Sequence, residues 1–196
     1  MSQSEELESW VQPSRDATLE VGHYQYSPDI AHTKNVWCTL FKRTLQEGFD
    51  SLVVVPCHRS EVDTVHDAWI ETMGHTVDSA LLLYHYSDMT SFIECQKTEK
   101  GFNGNKLDRD IFLFSMYPDL PADCALSLVA TMCWAMDISQ HSCTRFLTVS
   151  WSEPEDAFLR LTQYFGLSKP KVFCHPDGNS DADVPEEKEQ AGCDLS

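Results

Sequence analysis

The chain has 196 residues, 42% hydrophobic and 11% aromatic, enough to bury one good core or two small ones sharing an interface. Its 31 acidic residues against 14 basic ones give a formal net charge of −17, a field that repels polyanions; with no Lys/Arg cluster to override it, nucleic acid is excluded as the expected partner. No apolar stretch approaches the roughly 20 residues that span a bilayer, and Met1–Glu8 has neither the basic start nor the apolar run of a signal peptide, so the expectation is a chain of the cytoplasm or nucleus with no membrane contact.

In chain order, residues 1–17 are polar and broken by Pro13 and Ser14, which reads as a flexible leader. Thr18–Tyr26 is strand-like and ends at the turn signal Ser27-Pro28-Asp29. From about Ile30 to Glu47 the residues Val36, Trp37, Leu40, Phe41 and Leu45 recur at helical spacing, and Gly48 stops the helix. Leu52–Val55, bounded by Pro56, is a short β-branched run of the kind that forms a buried strand. Ser60 with Asp63 marks a helix start, Val62, Val65, Trp69 and Met73 one face, and Gly74 the end. Ala80–Tyr86 returns as a strand, with a further strand over Thr90–Cys95.

Lys97–Asn105 is polar and Gly-rich, a linker after which the pattern restarts. Asp110–Met116 reads as a strand, Ala122 to about Met136 as a helix after a Pro-Asp-Leu-Pro turn, and Phe146–Ser150 as a strand. Ser152–Glu155 opens a helix carrying Ala157, Phe158, Leu161 and Phe165, closed by Gly166, and Val172–Cys174 completes the unit. Beyond His175 the acidic, nearly apolar-free tail cannot offset its ordering entropy and reads as disordered. Aligning Gly74 with Gly166 sets Ser60-Glu61 on Ser152-Glu153, Trp69 on Leu161 and Met73 on Phe165. The expected organisation is a leader (1–17), a first α/β unit (18–96), a linker (97–107), a second α/β unit (108–175) and an acidic tail (176–196). The expected fold class is α/β: a mixed, largely parallel sheet flanked by helices and built from two tandem units.

The stretch Phe41–Val55 followed by Ala68–His75, FKRTLQEGFDSLVVV…AWIETMGH, resembles the second half of a GNAT acetyltransferase domain, and SEPEDAFLRLTQYFGL at 152–167 is similar at the same place. Within that superfamily, Lys34–Asp63 resembles most the ornithine decarboxylase antizymes, whose domain is a GNAT-type fold without acetyltransferase activity. The resemblance covers about one third of the chain. It implies GNAT-like units, and a regulator that binds another protein. Departures bear on what carries over. GNAT enzymes hold the acetyl-CoA pyrophosphate on a Gly-rich turn opening a helix. The turns here, Ser27–Ala31 and Pro118–Ala122, contain proline and aspartate and no glycine. The family's frequent general-acid Tyr falls on Ile70 and Thr162, and its helix-opening Asn on Asp63 and Glu155. Glu61 stands where the antizymes usually present a basic surface.

Other constellations read as structural. His58 and His66 near Cys57, and His141 near Cys143, lack the paired short spacing of a zinc site, and no CxxC occurs among the eight cysteines. Cys57-His58 and Cys174-His175 are neighbours on strands, whose side chains point to opposite faces, so neither forms a direct nucleophile–base pair. Ser150, Ser152 and Asp156 have no G-x-S-x-G elbow around them, and Glu153, Glu155 and Asp156 suit a helix N-terminus without any acid–base role. Tyr24, Tyr26, Tyr84 and Tyr86 could line a groove, though sheet-margin tyrosines account for them equally.

The reading is thus a non-catalytic GNAT-like or antizyme-like protein with no catalytic residues, no metal and no cofactor, acting through a protein partner. Two alternatives remain: an acyltransferase with an atypical acetyl-CoA loop, and an acidic structural subunit of a larger assembly. The expected partner-binding residues are His58, Arg59, Ser60, Glu61, Trp151, Ser152 and Glu153, on two loops that leave strand C-termini, where open α/β sheets place their sites.

Overall fold

The computed structural model describes residues 3–13, 18–31, 33–45, 49–73, 79–89, 91, 108–116 and 121–176. Along the chain run α1 (Gln3–Trp10), β1 (Leu19–Gln25), α2 (Lys34–Thr44), β2 (Ser51–Cys57), α3 (Val62–Met73), β3 (Ala80–His85), β4 (Arg109–Ser115), α4 (Ala122–Ile138), β5 (Cys143–Ser150), α5 (Asp156–Tyr164) and β6 (Lys171–Cys174). Single 3-10 turns at Pro28–Ile30 and Arg59–Glu61 lead into α2 and α3. The expected 97–107 linker, nearly all of the acidic tail and, apart from the helical Ser91, the expected Thr90–Cys95 strand lie outside the described residues.

The strands form one six-stranded sheet in the order β3-β2-β4-β5-β1-β6, and every pairing is parallel. The α/β class and the helix-flanked sheet are as the sequence indicates. The sheet is shared: β1 lies between β5 and β6, and β2 between β3 and β4. Nor do the halves repeat one another in it. In the first half the opening strand, β1, sits three positions from β2; in the second the opening strand, β4, neighbours β5 and the closing strand, β6, is displaced beyond β1.

β2, β4 and β5 are buried at every residue, which explains the near-continuous apolar runs Leu52–Val55 and Ile111–Phe114, since a parallel strand covered on both faces has no polar side to alternate with; in β5, Phe146, Leu147 and Val149 are interleaved with buried Thr144, Arg145, Thr148 and Ser150. Val53, Val55, Ile111, Leu113, Leu147 and Val149 face α1, α2 and α3, which contribute Leu7, Trp10, Trp37, Phe41 and Val65. Leu52, Val54, Phe112, Phe114 and Phe146 face the opposite layer, where α4 and α5 contribute Leu128, Met132, Trp134 and Phe158. Pro56 extends β2 instead of ending it. Here β4 pairs with β2 only from Ser51 to Val54, so the missing N–H falls where one side has no partner strand. Gly166, at φ 68°, closes α5: its N–H donates to the Gln163 carbonyl and the Leu167 N–H to the Thr162 carbonyl, a Schellman arrangement.

The expectation of a structureless leader fails at α1. Leu7 and Val11 are fully buried, and Trp10 lies against Phe173 at 5.2 Å between ring centroids. Two buried arginines grip the end of this helix. Arg145 donates through Nε to the Trp10 carbonyl (2.7 Å) and through Nη2 to that of Gln12 (3.1 Å). Arg109 donates to the Val11 carbonyl (2.6 Å) and to Ser51 Oγ (2.8 Å). The last carbonyls of a helix have no intrahelical donor and carry the negative end of its dipole, so cations suit them. Burial lowers the Arg109 guanidinium to about 10, still charged at neutral pH.

Gly22 lets α1 sit this close. A Cβ there would meet Leu147 Cδ1 at 2.9 Å, Phe173 Cε2 at 3.0 Å and Trp10 Cη2 at 3.2 Å. Gly22→Ala is therefore expected to lower stability by about 1–3 kcal/mol, the usual cost of overpacking. Urea unfolding followed by tryptophan fluorescence checks this, and an unchanged midpoint would mean that α1 is not seated over β1 as described.

Candidate functional site

An open α/β sheet offers a crevice at the C-terminal edge wherever adjacent strands send their connections to opposite faces. Two such places are seen among the described connections. β2 leads to α3 on one face and β4 to α4 on the other; likewise β1 leads to α2 and β5 to α5. The two expected partner-binding loops stand at these crevices. His58–Glu61 follows β2, Trp151–Glu153 follows β5, and β4 separates the strands that carry them. The structure thus places both loops on one edge without bringing them into a single site.

The chain's own side chains fill both crevices. Between β2 and β4, Ser115 Oγ donates to Glu61 Oε2 (2.8 Å), and the Tyr86 hydroxyl donates to the Ser115 carbonyl (2.5 Å). Glu61, Ser115 and Tyr86 are all at least 98% buried, so Glu61 presents no carboxylate to a partner. His58 turns back on its own loop, bonding Ser60 Oγ (2.7 Å) and accepting the Ser60 N–H (3.3 Å). Only Arg59 and Ser60 of this loop are exposed. Burial, with the Glu61 charge beside it, pushes the Cys57 thiol far above its ordinary range, so Cys57 is no nucleophile.

Between β1 and β5 the plug is His23, a residue the sequence reading passed over. Its Nε2–H donates to the Ser152 carbonyl (2.8 Å), which leaves Nδ1 to accept from Thr148 Oγ1 (2.9 Å). Ser150 Oγ donates to the same Ser152 carbonyl (3.0 Å) and accepts the Ser152 N–H (3.3 Å). Ser150 and Ser152 are thus spent on closing their loop, and Trp151 packs edge-on against Tyr26 at 6.1 Å. Glu153 projects into solvent at the entrance to α5. His23 stands between Gly22 and Tyr24 in a strand of mixed polarity, a pattern that does not separate a buried imidazole from an exposed one.

The remaining readings resolve in the same way. Tyr24 and Tyr26 are buried toward α1–α3, Tyr86 is buried in the opposite layer and Tyr84 is half-buried, so the four tyrosines share no groove. In the Ser27-Pro28-Asp29 turn the Asp29 N–H is directed at Ser27 Oγ, and those of Ile30 and Ala31 at the Ser27 and Pro28 carbonyls. The other proline turn, 118–121, lies largely outside the described residues. Among the described residues no three metal-ligating side chains converge, and no helix is long and apolar enough to cross a membrane.

Three concavities stand out among the described residues. One of about 600 Å³ lies below α1, where Glu20 faces both Arg145 (3.5 Å) and Lys171 (3.9 Å). One of about 560 Å³ lies beside β3, with Arg59 and His85 set among Asp63 and Asp88. The third, about 340 Å³, is a groove between α4 and α5 lined by Ala125, Leu128, Val129, Ala157, Leu161 and Tyr164, with Arg160 its one charged residue. Around it Leu126 is 69%, Val129 46% and Tyr164 83% exposed. On α4 the buried face, formed by Cys124, Leu128, Met132, Trp134 and Ala135, also takes in Ser127 and Thr131, while Leu126 and Val129 face water. The sequence carried this signal, since α4 has no charged residue between Asp123 and Asp137, but a helix apolar all round has the pattern of a buried one.

Comparison with family profiles, curated proteins and solved structures finds no match to this chain.

Two measurements check this geometry. His23 is buried and its pKa is lowered, first by that burial, against the smaller opposing pull of the Ser152 carbonyl. A lowered folded-state pKa means that the unfolded chain binds the proton more readily. This stability is therefore present above the ordinary value of 6.5 and is lost as pH falls below it. Urea midpoints at a series of pH values should show that loss, and His23→Gln should flatten it; an equal slope in the variant removes His23 as its source. In native-state alkylation read by mass spectrometry, Cys133 and Cys174, both part-exposed, are expected to label well before Cys38, Cys57, Cys124 and Cys143. Early labelling of Cys57 would contradict its burial.

Proposed function

We propose that this chain is a protein-binding module that acts without catalysis and docks its partner on the outer face of α4 and α5. One observation carries the reading: the seventeen-residue α4 turns Leu126 and Val129 to water while burying Ser127 and Thr131. A helix shaped only to cover a sheet does the reverse, because each buried hydroxyl has to find an acceptor and each exposed aliphatic forfeits its transfer free energy. Thr131 back-bonds to the Ser127 carbonyl, and Ser127 Oγ has no partner among the described residues. Tyr164 on α5 continues the apolar stripe across the groove.

The closed crevices support the non-catalytic half of the reading. The groups that chemistry would use there, Glu61, Ser115, His23 and Ser150, are engaged with one another or with loop backbone. The antizyme-like stretch Lys34–Asp63 suggests the same kind of role, a regulator acting by contact, without naming the partner. The loop Trp151–Glu153 runs directly into α5, so its exposed Glu153 belongs to the rim of this face.

The test is a differential capture from lysate. Leu126→Asp combined with Val129→Asp should leave the fold intact, since exposed positions away from caps and networks usually change stability by less than about 0.5 kcal/mol. The double variant is expected to lose proteins that the parent retains. Ile70→Asp, a control at a 56% exposed apolar position on α3, is expected to keep them. The same proteins recovered with all three baits would remove α4–α5 as the docking face.

A further inference from the structure

The α4–α5 face also specifies what kind of segment fits it, an inference that rests on the docking reading above. We infer that its occupant is an amphipathic helix of a partner protein, apolar on one side and rich in Lys/Arg, with its basic end lying over the N-termini of α4 and α5.

The shape points to a helix. α4 follows β4 and leads to β5, and α5 follows β5 and leads to β6, all in one parallel sheet, so the two helices run side by side in the same direction. The trough between them is open to solvent and lined by apolar side chains apart from Arg160. Its volume of about 340 Å³ is at the small end for a small-molecule pocket, which is about 300–1,000 Å³. Spread along a groove, that space takes the anchor side chains of a helix at i, i+3/i+4 and i+7, with the exposed Val129 and Tyr164 on its walls and Leu126 on the outer surface of α4 beyond them.

The charge picks out the partner. Asp123 opens α4, Glu153 and Glu155 precede α5, and Asp156 opens it, so four carboxylates gather at one end of the trough. Asp137 stands in the last turn of α4, and Arg160 is the one cation lining the groove. With a net charge of −17 behind it, the face attracts cations and orients them toward the helix N-termini. The same charge disfavours a second copy of this chain, which would bring equal acidic fields together, and an anionic membrane, whose headgroups the rim repels.

A selection experiment with the full chain decides it. A displayed library of helical peptides of roughly 18 residues, long enough for stable helix on docking, is selected against the protein. The enriched sequences are then measured against Leu126→Asp/Val129→Asp and against Glu153→Gln/Asp156→Asn. Enriched peptides are expected to combine an i, i+3/i+4, i+7 apolar face with excess Lys/Arg. They are expected to lose at least about thirtyfold in affinity on the first variant, as for a central anchor contact. The loss on the second is expected to be about tenfold, and smaller at high salt than at low salt, as for rim charges.

Neutral or acidic peptides that bind through Leu126 and Val129 would overturn the charge selection and leave the docking face standing. Failure to enrich any peptide, or peptides that bind the Leu126→Asp/Val129→Asp variant undiminished, would overturn the docking face itself. A dimer in sedimentation equilibrium that the same double substitution abolishes would show the occupant to be a second copy, and the inference would fall.

Discussion

Three neighbouring strands, β2, β4 and β5, are buried from end to end, and such strands are stable only if helices cover both faces of the sheet. Ile111, Phe112, Leu113 and Phe114 of β4 alternate between the two layers, and each contributes about 1.5–3 kcal/mol of burial before entropy is counted. That requirement fixes the rest of the architecture. α2 and α3 must take one face, α4 and α5 the other, and the crossings between them create the two crevices at the C-terminal edge. It also leaves each helix with an outer surface that the core does not specify.

The layer above β1 needed more than α2 and α3. Gly22 leaves a hollow between Leu147 and Phe173, and Trp10 of α1 fills it. Holding a two-turn helix in place requires satisfying its terminal carbonyls, because hydrogen bonds within so short a helix leave most of them open. Arg109 and Arg145, at the opposite end of the sheet from the crevices, supply the donors. Burying two guanidiniums is costly, and several features offset the cost: the carbonyls, Ser51, the nearby Glu20 carboxylate, and the faces of Phe49 and Trp10 at 5.4 and 5.7 Å.

Much of this was legible in the residues, and the parts that were not have physical reasons. The strand at Leu52–Val55, the helix carrying Trp37 and Phe41, and the end of α5 at Gly166 announce themselves through periodicity and punctuation, which are local properties. Strand order is not local. A match between Gly74 and Gly166 suggested tandem units, yet generic strand–helix grammar produces such a match without any shared topology, and the sheet interleaves the halves. α1 escaped notice because Glu5, Glu6 and Glu8 make it look like a polar leader. Its few buried side chains, Leu7, Trp10 and Val11, gain meaning only when Arg109, nearly a hundred residues away, accepts the helix end. At the expected site the loops were located correctly at strand C-termini, but Glu61 turned inward and His58 turned back on Ser60, because crevices left empty would expose polar backbone and apolar walls alike.

That closure shifts the weight of the functional argument to the outside of α4. A chain under selection for solubility alone, carrying −17 of charge, has ample carboxylates to place at positions 126 and 129. It places Leu and Val there instead, and puts Ser127 and Thr131 where aliphatic side chains would stabilise the core. Both choices cost stability, and they cost it on the same helix, on opposite sides. A single exposed leucine needs no explanation. Under the docking proposal, Leu126 and Val129 are exposed, beside a second helix presenting Tyr164 to the trough, because a partner approaches from the solvent side. Under the same proposal the acidic ends of α4 and α5, which stabilise those helices through their dipoles, would also set the direction in which a cationic helix lies.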